Sequence, residues 1–174
     1  MIWSLSQFNA RQANSALQKV PSVRQRFGYT CGPAALSAVL KFYGVGNPPS
    51  ENKIADLAVT TQWQGTTPAG IRKVLDFYGI RNTSFSNTGM LKLKELIDRG
   101  PVIALITQAR ELHWVVIEKI TGGQIRYMDP WLGRDCTLPL DEFTKIWYDN
   151  GTWENREEKN PRPVLNQFCI ATNH

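Results

Sequence analysis

Apolar residues recur at helical spacing over the first half of the chain. In the segment 31–44, four apolar side chains fall at i, i+3, i+4 and i+7 and would share one buried face: Leu36, Val39, Leu40 and Tyr43. Pro33 suits the first turn of a helix, and Gly44 suits the left-handed residue beyond the last turn. The segment therefore predicts a helix with well-marked ends.

Three further segments show the same spacing and are expected to be helices: a segment beginning near Ser50, residues 68–78 and residues 91–98. Thr67 would cap the start of the second of these segments, and Gly79 would end it. Gly100 and Pro101 would end the third. The N-terminal half is thus predicted to be mainly helical.

The second half of the chain has strand-like patterns. Residues 102–106 are a short, unbroken apolar run, and residues 113–120 and 124–128 flank a Thr-Gly-Gly turn, which predicts a β-hairpin. A short helix over residues 141–147 and a closing strand over residues 168–171 complete the predicted elements. Helices first and strands second is typical of an α+β fold, in which an N-terminal helical half packs on a C-terminal antiparallel β-sheet.

The composition is that of an ordinary globular chain: of 174 residues, 42% are hydrophobic and 20% are charged. We expect one domain over residues 1–174, with a variable lead-in (1–23), a core (24–148) and a C-terminal segment that carries the closing strand (149–174). No apolar run approaches the roughly 20 residues that cross a bilayer, and the N-terminus lacks the basic start and apolar block of a signal peptide. Neither a membrane span nor a signal peptide is expected.

The net charge of +5 is spread along the chain and forms no basic block. No nucleic-acid-binding motif accompanies it, so nucleic acid is not an expected partner. The three cysteines are an odd number and include no Cys-x-x-Cys pair, and the two histidines are His113 and His174. These residues do not assemble the four well-spaced ligands of a structural zinc site, so no metal or other cofactor is expected.

Cys31 has the sequence setting of a reactive thiol. It stands immediately before the helix start marked by Gly32 and Pro33, where unpaired N–H groups and the helix dipole stabilise negative charge and favour a thiolate. The alternative is that Cys31 is a small buried hydrophobic residue, which is the commonest state of cysteine. Cys136, expected in a loop, and Cys169, expected in a core strand, are predicted to be structural.

His113 would open one strand of the predicted hairpin, and Asp129 would close the other. Antiparallel pairing brings these ends together, which would give the imidazole a carboxylate to orient it. A two-residue turn would place the two side chains on opposite faces of the sheet, whereas a three-residue turn or a bulge would place them on one face, with Asp129 opposite Val115. Alternatively, His113 is a histidine at the edge of the core and Asp129 a turn residue before Pro130.

The candidate residues Cys31, His113 and Asp129 belong to three sequence motifs: Gln25-x5-Cys31-Gly32-Pro33-Ala34-Ala35, His113-Trp114-Val115-Val116 and Tyr127-Met128-Asp129-Pro130. Together they resemble the bacteriocin-processing, double-glycine peptidases, a family of papain-like cysteine peptidases, over roughly residues 21–140. That family has a glutamine six residues before the cysteine of a Cys-Gly-Pro helix start, a histidine that opens a strand and an Asp-Pro pair sixteen residues later, and all of these are present here at the same spacing.

The resemblance implies a role for each of four residues. Cys31 would be the nucleophile, and His113 would be the general base and later the general acid. Asp129 would hold the imidazole in one tautomer. Gln25 would donate its side-chain amide to the oxyanion beside the backbone N–H of Cys31, and losing one such donor typically costs about 100- to 1000-fold in rate. Two neighbouring aromatic residues would either line the cleft or belong to the core: Trp114 and Trp131.

The function that the resemblance implies is peptide-bond cleavage by a cysteine peptidase, with a peptide or protein as substrate and no cofactor. Family members commonly form the cytosolic N-terminal domain of a peptide-exporting ABC transporter, whereas this chain shows neither membrane spans nor a P-loop. Two settings remain open. One is a cytoplasmic stand-alone processing peptidase, and the other is a bacterial toxin or effector domain that is delivered into a target cell and met by a cognate inhibitor or immunity protein.

Two other functions are compatible with the same fold. The first is another acyl transfer through the same residues, such as transpeptidation, transglutamination or deamidation. The second is a non-catalytic peptide-binding module. Relatives of that kind look degenerate at the cysteine or histidine, whereas this chain retains both Cys31 and His113.

Overall fold

The computed structural model describes residues 19–148 and 166–173. Within them, the elements follow in the order α1 (Cys31–Phe42), α2 (Glu51–Ala58), α3 (Pro68–Phe77), β1 (Arg81–Phe85), α4 (Gly89–Ile97), β2 (Val102–Gln108), β3 (Glu111–Thr121), β4 (Gln124–Asp129), β5 (Arg134–Pro139), α5 (Leu140–Ile146) and β6 (Cys169–Asn173). Residues 1–18 of the predicted lead-in, residues 149–165 of the C-terminal segment and His174 lie outside the described residues. Among those described, no helix has both the length and the apolar composition to cross a membrane.

The strands form one antiparallel sheet in the order β1-β6-β2-β3-β4-β5. Apolar side chains of α1, α2 and α3 pack on one face of the sheet, while α4, α5 and the residue after α5 supply Leu93, Phe143 and Trp147 to the other. Because both faces are covered, β2 has six consecutive buried residues and reads as an unbroken apolar run. The predicted α+β fold, with a helical N-terminal half packed on an antiparallel sheet, is confirmed.

The helix ends lie where capping residues and glycines predicted them. α1 begins at Cys31, and Gly44 follows its last turn with a φ of 69°. The hydroxyl of Thr67 accepts a hydrogen bond from the backbone N–H of Gly70 (3.1 Å) at the start of α3, and Gly79 follows that helix with a φ of 69°. The predicted ends of α1 and α3 are thus observed.

The hydrophobic pattern did not predict β1 or β5. Both are edge strands with exposed and half-buried residues, so they lack the apolar alternation that marks a strand. The prediction that Cys136 lies in a loop is wrong, because Cys136 lies in β5 opposite Tyr127 of β4. β1 precedes α4, so a strand lies among the N-terminal helices, which the sequence did not indicate.

Candidate active site

The hairpin of β3 and β4 brings His113 and Asp129 together through a bulge. Its turn has two residues, both of them glycines with positive φ, and such a turn alone would leave the two side chains on opposite faces. The register then shifts between Ile117 and Lys119, so that Glu118 is an extra residue on β3. Of the two arrangements that would put Asp129 on the face of His113, the structure therefore has the bulge.

His113 and Asp129 form a buried, hydrogen-bonded pair. The imidazole Nε2 and the carboxylate Oδ1 are 2.8 Å apart, and the two side chains are 10% and 1% exposed. An ionised carboxylate only accepts hydrogen bonds, so Nε2 carries the proton of this bond. Nδ1 is then left for a second partner, and the side chain of Cys31 also interacts with the imidazole.

The surroundings of His113 favour its charged form. Burial lowers the pKa of the imidazole, but the hydrogen bonds to Asp129 and Cys31, together with their charges, outweigh burial and raise the pKa to about 9. Burial likewise acts to raise the pKa of Asp129, but the hydrogen bond and charge of His113 prevail and the pKa of this carboxyl is lowered. At neutral pH the pair is therefore an imidazolium beside a carboxylate.

A tight turn after β4 fixes the carboxylate of Asp129. Its Oδ1 accepts a second hydrogen bond from the backbone N–H of Trp131 (2.8 Å), and its carbonyl oxygen accepts the N–H of Gly133 (2.8 Å). Gly133 has a φ of 65°, and a Cβ added there would come within 2.6 Å of the Cβ of Arg24. Glycine is thus required both by the backbone conformation and by the close approach of the segment that leads to Gln25.

Gln25 is held against this turn. Its backbone N–H donates to the carbonyl oxygen of Pro130 (2.9 Å), and its side-chain Nε2 donates to the carbonyl oxygen of Phe27 (2.7 Å). Gln25 is buried, with an exposed fraction of 9%. A primary amide has two N–H hydrogens, so one remains for another acceptor.

Cys31 is the first residue of α1 and is 7% exposed. The side chain of Thr30, at the N-cap position, makes no capping hydrogen bond, and Pro33 has no N–H to be capped. The backbone N–H groups of the first turn therefore receive no cap from Thr30. Uncapped N–H groups at a helix start, together with the helix dipole, are a general binding site for an anion.

Gly32 allows the loop that contains Thr66 to pack against the start of α1, because a Cβ at this position would lie 2.5 Å from the Cβ of Thr66. Thr66 is held in place by a hydroxyl contact with Thr60 (2.8 Å) and by the indole N–H of Trp114, which donates to its carbonyl oxygen (2.8 Å). Trp114 is 2% exposed and belongs to the core. Trp131 is 56% exposed and does not.

Replacing Gly32 by alanine is expected to lower the free energy of unfolding by about 1–3 kcal/mol, the usual cost of overpacking, even though alanine is the better helix former. Urea unfolding of the wild-type chain and of Gly32→Ala measures this difference in the free energy of unfolding. Gly46→Ala is the control, because a Cβ added there meets nothing within 4 Å. Equal stability of the two variants would contradict the tight contact at Gly32.

The other two cysteines, Cys136 and Cys169, lie in strands and not at the start of a helix. Burial raises the pKa of Cys169 to about 11, and burial together with the charge of Asp129 raises the pKa of Cys136. Both thiols are expected to stay protonated at neutral pH. Over residues 19–148 and 166–173, no three His, Cys, Asp or Glu side chains are grouped so that they could hold a metal ion.

Three residues that shape the site were not singled out from the sequence: Thr30, Thr66 and Gly133. The Asp-Pro-x-x-Gly order that ends at Gly133 is a turn signal and could have indicated this glycine. Nothing local connects Thr66 with Gly32, since their contact depends on the packing of a loop against α1.

The helices and the six-stranded antiparallel sheet form the fold of papain-like cysteine peptidases, and comparison with known proteins agrees with this class. The family model described as "Peptidase C39 family" matches residues 19–152. The chain belongs to the Peptidase C39 family and is a cysteine peptidase.

Two relatives illustrate the range of the family. An uncharacterized protein of Methanothermobacter marburgensis is 34% identical over 137 residues, which cover 78% of this chain and 89% of the relative. The lactococcin-G-processing and transport ATP-binding protein LagD of Lactococcus lactis is 30% identical over 118 residues, which cover 67% of this chain. The match spans 16% of the length of LagD.

Solved structures show the same fold. The peptidase domain of Streptococcus ComA, described as a bifunctional ABC transporter involved in quorum sensing, has a TM-score of 0.68 at 21% identity, covering 89% of this chain and 98% of that domain. A double-glycine-motif protease from an AMS/PCAT transporter, in complex with the leader peptide, has a TM-score of 0.65 at 19% identity, covering 88% of this chain and 91% of that one. The resemblance to double-glycine peptidases inferred from the motifs is confirmed.

Proposed function

We propose that Cys31, His113, Asp129 and Gln25 form the active site and that the chain cleaves precursor peptides after a pair of glycines. The observation that carries the proposal is the buried hydrogen bond between Asp129 and His113 (2.8 Å), beside a Cys31 that interacts with the same imidazole from the uncapped start of α1. Two relatives support the substrate class. LagD is named for lactococcin-G processing, and the AMS/PCAT protease was solved with a leader peptide.

The first half of the reaction forms a thioester. The Cys31 Sγ attacks the carbonyl carbon of the scissile bond, and the thiol proton resides on Nδ1 of His113. The tetrahedral oxyanion accepts hydrogen bonds from the backbone N–H of Cys31 and from Nε2 of Gln25. His113 then gives its Nδ1 proton to the departing amine, the C–N bond breaks, and an acyl-enzyme remains.

The second half releases the acyl group. Nδ1 of His113 removes a proton from a water molecule, whose oxygen attacks the thioester carbon, and the C–S bond breaks to give a carboxylic acid and the thiolate. Through both halves Nε2–H stays hydrogen-bonded to Asp129 Oδ1, which fixes the tautomer and keeps Nδ1 directed at the reacting atoms.

We further propose that residues 1–174 act as a single domain, in the cytoplasm, as a processing peptidase. The matches to LagD, which is named for processing and transport, and to the peptidase domain of ComA support the processing role. The other setting is a toxin or effector domain that is delivered into a target cell and neutralised by an inhibitor or immunity protein. Growth arrest of a host that expresses the wild-type chain, but not Cys31→Ala, would indicate that setting instead.

The test uses synthetic precursor peptides that carry Gly-Gly before the expected cleavage point, with Ala-Ala versions as matched substrates. Mass spectrometry is expected to show a new C-terminus after Gly-Gly with the wild-type chain and no product with Cys31→Ala. Cys136→Ser is the control variant, because Cys136 lies in an edge strand and outside the proposed site, and it is expected to retain activity.

Other products would point to the alternative functions. Incorporation of an added amine without chain cleavage would indicate transpeptidation or transglutamination, and a mass gain of about 1 Da at a glutamine would indicate deamidation. A peptide that binds but is not turned over at any pH would indicate a non-catalytic module. Cleavage that persists in Cys31→Ala would contradict the assignment of the nucleophile.

A further inference from the structure

We propose that Thr30 is a positioning residue of the oxyanion hole, because its hydroxyl fixes the carbonyl group of Phe27, which in turn orients the side-chain amide of Gln25. The inference rests on the proposed role of Gln25 as an oxyanion donor. Thr30 itself would touch neither the substrate nor the reacting atoms.

Thr30 closes the turn over residues 27–30 by both donating hydrogen bonds to Phe27 and accepting one from it. The carbonyl oxygen of Phe27 accepts the hydroxyl (3.0 Å) and the backbone N–H (3.2 Å) of Thr30, and the same hydroxyl accepts the N–H of Phe27 (3.1 Å). A hydroxyl has one hydrogen to donate and two lone pairs, so it satisfies both contacts at once. Thr30 is 2% exposed, and water therefore offers it little competition.

This use of a threonine differs from its ordinary use at a helix start. An N-cap threonine commonly accepts the N–H of the second or third helical residue. In α1 the third residue is Pro33, which has no N–H, and Thr30 makes no capping bond. Its hydroxyl turns back to Phe27 instead, and the N–H groups beside Cys31 are left for the oxyanion.

The Phe27 carbonyl is also the anchor of the Gln25 side chain. Nε2 of Gln25 donates to it at 2.7 Å, while Oε1 is buried and has no hydrogen-bond partner in the described part of the chain. With a single anchor, the plane of the amide follows the position of the Phe27 carbonyl. The second Nε2 hydrogen is therefore aimed by the same turn that Thr30 closes.

The kinetic test is Thr30→Val, which keeps the branched shape and removes the hydroxyl. We expect kcat to fall by roughly 10-fold or more, up to the loss of about 100- to 1000-fold expected for Gln25→Ala, with KM little changed. Alkylation of Cys31 by iodoacetamide is expected to keep its wild-type rate, because the thiol and the imidazole are not altered. Thr30→Ser, which restores a hydroxyl, is expected to recover most of the lost kcat.

The decisive comparison is the double variant. If Thr30 acts through Gln25, then Thr30→Val in a Gln25→Ala background adds no further loss. Multiplied losses, failure of Thr30→Ser to recover kcat, or a matching loss of Cys31 alkylation would each overturn the proposal.

Thr172→Val is the matched control. The N–H (3.3 Å) and hydroxyl (2.6 Å) of Thr172 both donate to the carbonyl oxygen of Pro101, which repeats the pair of bonds from Thr30 to Phe27, and Thr172 is 1% exposed. It lies in β6 and contacts Tyr43 beyond the opposite end of α1 from Cys31. Thr172→Val is expected to leave kcat unchanged, and an equal loss of kcat in both variants would show a general effect of a lost buried hydroxyl.

A spectroscopic measurement tests, without any need for turnover, whether Thr30 positions the side-chain amide of Gln25. The side-chain amide signals of Gln25 are assigned in a ¹⁵N–¹H spectrum by their absence from Gln25→Ala. They are expected to shift and to exchange faster with water in Thr30→Val but not in Thr172→Val. Unchanged Gln25 signals in Thr30→Val overturn the proposal, whereas a wild-type chain that cleaves no peptide contradicts the proposed function and leaves this measurement valid.

Discussion

His113→Ala is expected to lower kcat/KM by about 10⁴-fold or more and to abolish the fast alkylation of Cys31 in the same protein. The imidazole takes part in every proton transfer of the proposed reaction, and its charged form would be the partner of a Cys31 thiolate. Removing it takes away the acid, the base and the stabilisation of the nucleophile together.

The predicted loss of Cys31 alkylation can be tested without a substrate. The wild-type chain and His113→Ala are treated with limiting iodoacetamide near pH 6, and the modified cysteine is then mapped. A free thiol with a pKa of about 8.5 is only ~0.3% ionised at this pH. A thiolate paired with an imidazolium would react up to about 100-fold faster, after allowance for the lower nucleophilicity of a stabilised thiolate. Cys136 and Cys169 serve as internal references, because the pKa of each is raised.

Gln25→Ala is the companion variant, because it would remove an oxyanion donor without touching the thiol or the imidazole. It is expected to lose turnover and to keep rapid labelling of Cys31. Labelling of Cys31 no faster than a model thiol, and unaffected by His113→Ala, would contradict the ion pair and support a peptide-binding module of the same fold.

Local signals explain why much of the fold and the proposed site could be predicted from the sequence. Gly44, Thr67 and Gly79 act through the backbone next to them, and the helix ends lie where these residues indicate. The His113–Asp129 contact follows from the geometry of one hairpin. The condition for that contact, an odd-length turn or a bulge, could be stated in advance because side chains alternate between the faces of a strand.

The remaining features depend on contacts that no local pattern encodes. β1 and β5 pair at the edges of the sheet and bury little apolar surface, so their residues carry no clear alternation. The choice of a bulge at Glu118 over a longer turn was not decided by the sequence. Thr30 looks like an N-cap, and only the structure shows that its hydroxyl bonds Phe27 instead.

Asp129→Asn is expected to move the alkaline limb of the kcat/KM profile to lower pH by about one unit or more. In the proposed reaction the active form pairs a thiolate with an imidazolium, so activity is expected to fall as the pH rises through the His113 pKa of about 9. The hydrogen bond and charge of Asp129 help to raise that pKa against burial. A neutral amide removes the charge while burial remains, so the imidazolium loses its proton at a lower pH.

Asp129→Ala separates orientation from charge. The asparagine Oδ1 can still accept the hydrogen bonds that Asp129 accepts from His113 Nε2 and from the N–H of Trp131, whereas alanine leaves both donors without an acceptor. We therefore expect Asp129→Ala to lose more kcat/KM at its optimum pH than Asp129→Asn does. Equal losses would assign the effect of Asp129 to its charge alone, and an alkaline limb that does not move in Asp129→Asn would show that Cys31 by itself keeps the imidazole protonated.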